Sequence, residues 1–188
     1  MKRRSFLLSA AAVPAATLAY SLPLPADAAK PGKAFKVGAG EGRYHGHIHL
    51  KGVNVNIQDV KVSGKDTNGQ LAIFEQTSLS PKRGTPLHIH PHQDEVFQVL
   101  EGEYLFKVGD DMHRLKAGES IFLPRQVPHA WSQLSERGRM TVILQPAGKL
   151  EEFFVLLASL TEAPTPAQLN KIFTDHDMQV VGPPLKVD

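Results

Sequence analysis

The 188-residue sequence predicts an all-β fold, an antiparallel β-barrel or jelly roll with α-helices at its C-terminal end. Three observations carry this expectation. Short runs of alternating apolar and polar residues recur between about residues 44 and 147, the two-residue period of strands with one face toward a core. Turns rich in Gly and Pro separate them at regular intervals, as in closed all-β domains. Past Gly148 the period changes to about 3.6, which marks helices.

Taken in order, residues 30–42 are rich in Gly and Lys and read as an irregular entry segment. Tyr44-His45-Gly46-His47-Ile48-His49 alternates, and reads as an edge strand with exposed histidines. An accessory metal site is the competing reading, but neither a carboxylate nor a further histidine lies close in sequence to complete it. Val53 to Val62 sets Val53, Val55 and Ile57 against Asn54, Asn56 and Gln58, a half-buried strand whose apolar members are expected inward. A turn over Gly64–Gly69 leads to a strand from Leu71 to Leu79. Further strands follow at Glu103–Val108 and Met112–Leu115, a hairpin around Gly109-Asp110-Asp111. Ser120–Leu123, Ala130–Gln133 and Met140–Gln145 complete the series. Leu150, Phe153, Phe154, Leu157 and Leu160 form the stripe of an amphipathic helix. A second helix has Thr165 as cap, Pro166 at its first position and Gln168 three residues after the cap. The ending Val180–Leu185 is expected to be extended and to pack back on the barrel.

The start of the chain reads differently. A basic N-terminus, an apolar run from Phe6 to Tyr20 and a small-residue site near Ala26-Asp27-Ala28 are the layout of a secretory signal peptide. Arg3-Arg4-Ser5-Phe6-Leu7 fits the twin-arginine form of that signal better than the ordinary form. Residues 1–28 are therefore expected to be removed on export to the periplasm, leaving one domain over 29–188: a barrel core over about 44–147 and a helical extension over 148–188. The apolar run is short and broken by Ser9, Pro14 and Thr17, so no membrane partner is expected after cleavage. Residues 1–28 hold three of the 21 basic residues and one of the 19 acidic ones, leaving 18 of each. The rest of the chain is formally neutral and has no basic cluster with interleaved aromatics, which argues against nucleic acid. With no cysteine, disulfides, thiolate ligands and a cysteine nucleophile are excluded.

The chemistry concentrates in two stretches, GTPLHIHPHQDEVFQVLEG over 84–102 and GESIFLPRQVPHAWSQ over 118–133. His88 and His90, at i and i+2 of a strand, point to one face. Glu95 follows at the start of an alternating run, and His129 stands beyond Pro124 and Pro128. Three imidazoles and a carboxylate suit a borderline divalent transition metal: Fe, Mn, Ni, Cu, Co or Zn. His92 continues the series but follows Pro91, which breaks the strand, and reads as a rim residue. Asp94 competes with Glu95 for the carboxylate role.

At these residues the sequence resembles the cupin superfamily. His-x-His, four residues, Glu95, six residues and Gly102 resemble its first motif, and that spacing favours Glu95 over Asp94. Gly118, five residues, Pro124 and then His129 resemble its second. Two positions depart: Gln126 stands where the second motif usually has Gly, and Gln133 where it often has Asn. The run PLHIHPHQDEVFQVLEGEY and the tail near Gly182-Pro183-Pro184 are most similar to single-barrel proteins of the quercetin 2,3-dioxygenase type. This resemblance implies a cupin-type barrel with metal ligands His88, His90, Glu95 and His129, and Glu95 as ligand and proton acceptor. It also implies a dioxygenase acting on a small flavonol-like, enol or diketone substrate. The aromatics Phe97, Phe106, Phe122 and Trp131 are candidates for the substrate pocket, or for core. A periplasmic barrel that binds or senses a metal or small molecule is the alternative, as is another cupin enzyme such as an isomerase or decarboxylase. A homodimer is expected by analogy alone.

Overall fold

Strand pairing gathers the alternating runs into two sheets. The computed structural model describes residues 32–51 and 54–187. The export segment expected over 1–28 lies outside these residues. The strands are β1 (Ile48–His49), β2 (Ile57–Val62), β3 (Ala72–Ser78), β4 (Pro86–Ile89), β5 (Asp94–Glu101), β6 (Glu103–Val108), β7 (Asp111–Lys116), β8 (Ser120–Leu123), β9 (His129–Gln133), β10 (Gly138–Gln145) and β11 (Gln179–Pro184). Helices α1 (Leu150–Ser159) and α2 (Pro166–Asp175) precede β11. One sheet runs β1-β2-β3-β10-β5-β8 and the other β11-β4-β9-β6-β7, with antiparallel neighbours throughout. The inner faces share one core, including Phe74, Phe97, Tyr104, Phe106, Trp131, Met140 and Val142. This is the antiparallel jelly-roll barrel with C-terminal helices that the alternation predicts, in the arrangement of the cupin fold.

The helices close over the barrel. Phe153, Phe154 and Leu157 of α1 and Phe173 of α2 are buried in the core, and Phe153 packs edge-on against Phe173 at 5.0 Å. The capping box at Thr165 and Gln168 forms as the sequence predicts. Strand β11 pairs with β4, so the chain end does return to the barrel, beside the strand that carries His88.

Three local expectations are corrected. Only Ile48–His49 of the histidine series is strand, because His45 and Gly46 take positive φ (63° and 61°) and turn the chain. The partners that sequence proximity did not supply come from afar: His45 meets Glu151 at 3.0 Å and His47 meets Asp59 at 2.7 Å. The alternation before β2 is inverted as well. Asn54, Asn56 and Gln58 are buried, whereas Val55 is 57% exposed. The inward polar groups find hydrogen bonds there, Asn56 Oδ1 accepting from the Leu79 N–H and Gln58 donating to Gln76. Phe122, expected near the pocket, is 57% exposed. It pairs with Val96 on the outer face of β5, while its neighbour Leu123 pairs with Glu95 and turns inward.

Candidate metal centre

Each predicted ligand is delivered by strand geometry. His88 on β4 stands directly opposite His129 on β9, and His90 follows one residue past the end of β4. Glu95 reaches the same point from β5 in the other sheet. One ligand atom from each of His88, His90, Glu95 and His129 lies within 4.8 Å of all the others, and all four side chains are buried. Glu95 Oε2 is 3.3 Å from His129 Nε2 and 3.8 Å from His90 Nε2. Gly84 permits the approach of β4 to β9, since a Cβ there would sit 1.6 Å from the Trp131 carbonyl oxygen.

The histidine tautomers are set from outside the cluster. His88 Nδ1–H donates to the Pro86 carbonyl (2.8 Å), and His129 Nδ1–H donates to the Val127 carbonyl (3.0 Å). A carbonyl only accepts, so each Nδ1 carries the proton and each Nε2 offers a lone pair to the cluster. Burial, then the neighbouring His129 and His90, hold His88 well below the usual histidine pKa. Burial chiefly, with His129, lowers His90 to about 3. Both are therefore neutral, the form in which imidazole binds metal.

The residues fit a metal. His129 Nε2 is buried without a hydrogen-bond partner, and a carboxylate oxygen of Glu95 lies 3.3 Å from it. Two lone-pair-bearing atoms held that close in a dry site repel unless a cation lies between them. Ligands about 2.1 Å from one ion stand roughly 3.0–3.4 Å apart, comparable with the 3.3 Å contact. The cluster could hold one divalent metal ion, with its identity set by nothing in the donor set alone.

The competing residues fall away for visible reasons. Asp94 is turned outward into a two-pronged pair with Arg125, which holds its carboxyl at about 2. His92 is exposed and does not line the cavity beside the ligands. A cavity of about 70 Å³ adjoins the ligands, lined by Phe97 and Trp131 but by neither Phe106 nor Phe122. Phe106 is instead fully buried core, packed on Phe97 at 5.2 Å. Residues the sequence reading passed over complete the walls: Phe153 and Phe173 from the helices, and Gln58 and Gln76 from the barrel. Phe173 stands edge-on to His88 at 5.5 Å. The helical stripe was visible in the sequence, but nothing local said that it would face a histidine cluster.

The two motif departures are accommodated. Gln126 adopts φ 66°, the left-handed region where Gly is favoured, and its N–H donates to the His90 carbonyl. Gln133 is fully buried; it accepts from the Ser80 N–H and donates to the Ser78 and Ser135 carbonyls.

The two sheets of this jelly-roll barrel converge three histidines and a glutamate on one buried point, a β-barrel that could hold a metal ion. Residues 76–144, which include all four candidate ligands, match the family of the cupin domain. An RmlC-like cupin from Shewanella frigidimarina shares the fold, with a TM-score of 0.50 and 21% identity over 62% of this chain and 93% of that one. A predicted oxalate decarboxylase from Thermotoga maritima aligns with a TM-score of 0.46 and 17% identity, over 48% of this chain and 80% of that one. An uncharacterized protein of Aquifex aeolicus is 26% identical over 91 residues, 48% of this chain and 70% of that protein. The domain match and the shared fold support the cupin superfamily.

Proposed function

We propose that the protein is a metal-dependent oxygenase acting on a small enol or diketone substrate. The observation that carries the reading is Glu95: a buried carboxylate that belongs to the ligand cluster and also lines the cavity. The resemblance of the run over Pro86–Tyr104 to dioxygenases of the quercetin type supports the reaction class. The cavity supports the small end of the substrate range, because about 70 Å³ falls well short of the roughly 300–1,000 Å³ pockets that enclose drug-sized ligands.

Held by His88, His90, Glu95 and His129, a divalent transition metal would supply Lewis-acid chemistry, and a redox-active one electron transfer as well. The chain does the rest. Glu95 takes the enol proton within the cavity. The carbonyls of Pro86 and Val127 keep His88 and His129 in the tautomer that leaves Nε2 free. Phe97, Trp131, Phe153 and Phe173 keep the reacting centre dry. Export by the twin-arginine route is part of the proposal, and a fusion of residues 1–28 to a reporter tests it.

The activity is tested by loading the purified protein anaerobically with each candidate metal, adding a panel of flavonols and diketones, and following oxygen consumption. Uptake with a small diketone or enolone supports the reading. No uptake with any metal across the panel refutes it in favour of a binding or sensing barrel.

A further inference from the structure

The cavity beside the metal ligands has a second polar end. Gln58 of β2 and Gln76 of β3 both line it, and both are buried. Gln76 Nε2 donates to Ser78 Oγ (2.7 Å), which also accepts from the Tyr104 hydroxyl (2.7 Å). Gln58 Nε2 donates to Gln76 Oε1 (2.6 Å). The chain of bonds therefore ends on Gln58 Oε1, which has no partner although the residue is only 1% exposed. A buried amide oxygen forfeits the hydrogen bonds it had in water, and a donor brought in by a ligand would restore one.

Its placement is set by strand register. Gln58 pairs with Gln76, which pairs with Met140, which pairs with Val99. Glu95 stands in a different row, opposite Leu144. The row between them, Val60, Phe74, Val142 and Phe97, is apolar. The two polar rows are four residue steps apart on β10, from Met140 to Leu144, about 13 Å along the strand. Of the apolar row Val142 and Phe97 line the cavity, so the candidate ligands, an apolar stretch and the unpartnered Gln58 oxygen border one cavity.

We propose that Gln58 is a specificity-determining residue: its Oε1 accepts a hydrogen bond from a hydroxyl or N–H at the end of the substrate remote from the metal ligands. Gln76 acts as a positioning residue that holds the Gln58 amide in that orientation. The substrate class is then a slender enolone or diketone with a donor-bearing tail, rather than a wholly apolar one. This inference rests on the metal-centred reading above.

The test uses the zinc-loaded protein and two hydroxypyranone chelators that differ at one group. Kojic acid carries a hydroxymethyl tail, and allomaltol has a methyl there. Calorimetry is expected to show kojic acid binding about tenfold more tightly than allomaltol, the scale of one buried hydrogen bond. Q58L should bring the ratio of the two affinities to about one, and Q58E, which keeps an acceptor, should preserve the preference. Equal affinities in the wild-type protein overturn the inference and leave the metal-centred reading standing, independently of how the variants fold. A preference that survives Q58L likewise overturns it. Failure of both chelators to bind the zinc-loaded protein overturns the inference and that reading together.

Discussion

His88 and His129 face each other across the β4–β9 pair with ring centroids 4.5 Å apart, and each donates its Nδ1 proton to the carbonyl two residues before it. The arrangement aims two Nε2 lone pairs at one point, held there by bonds to the protein's own backbone. Preorganisation of this kind lowers the ordering cost of binding.

If that point is a metal site, His129→Ala should lower the metal content of purified protein severalfold, and His90→Ala should do the same. Elemental analysis reads the outcome, with circular dichroism confirming the fold. Excess metal should also raise the melting temperature of the wild-type protein and leave that of His129→Ala nearly unmoved. Equal metal content in wild type and variants would remove the ligand assignment.

Glu95→Gln separates ligation from proton transfer. The amide keeps an oxygen but loses the charge and the basicity, so metal affinity should fall moderately. Oxygen uptake at equal metal occupancy should fall by at least about a hundredfold, the usual scale of a lost general base. Uptake that scales only with occupancy would restrict Glu95 to ligation.

Gln126→Gly should stabilise the protein. The residue is exposed and sits at φ 66°, where a non-Gly side chain costs about 1 kcal/mol. Relief of part of that cost should raise the melting temperature by about 2–4 °C. A lower melting temperature would mean that the Gln126 side chain makes a contact worth more than the strain.

Alkaline pH should expose the burial of Tyr104. Burial raises its hydroxyl to about 12, with Glu101 adding and the Ser78 hydrogen bond opposing. The unfolded chain ionises near 10, so it loses protons first and stability falls as pH rises from about 10 to about 12. The loss amounts to about 2–3 kcal/mol for this one group. Denaturant unfolding from pH 8 to 11.5 measures it, and Tyr104→Phe should flatten that part of the slope. An unchanged slope in the variant would assign the loss to other groups.

The sequence alone carried most of the strand series, the cap at Thr165 and, through the family resemblance, the four candidate ligands. The local parts depend on near neighbours: a two-residue period puts His88 and His90 on one face, and Thr165 caps a helix through Gln168 three residues on. Tertiary structure alone decided which face of β2 turns inward, since Asn56 and Gln58 are tolerated inside only because Leu79, Gln76 and the Ser78 hydroxyl lie opposite. It also decided that Phe122 points outward, that Asp94 belongs to Arg125, and that Phe173 covers His88. Periodicity says that a strand has two faces. Only the register between distant strands says which of them meets the core, because the free energy of burying a polar group depends on partners that local sequence does not contain.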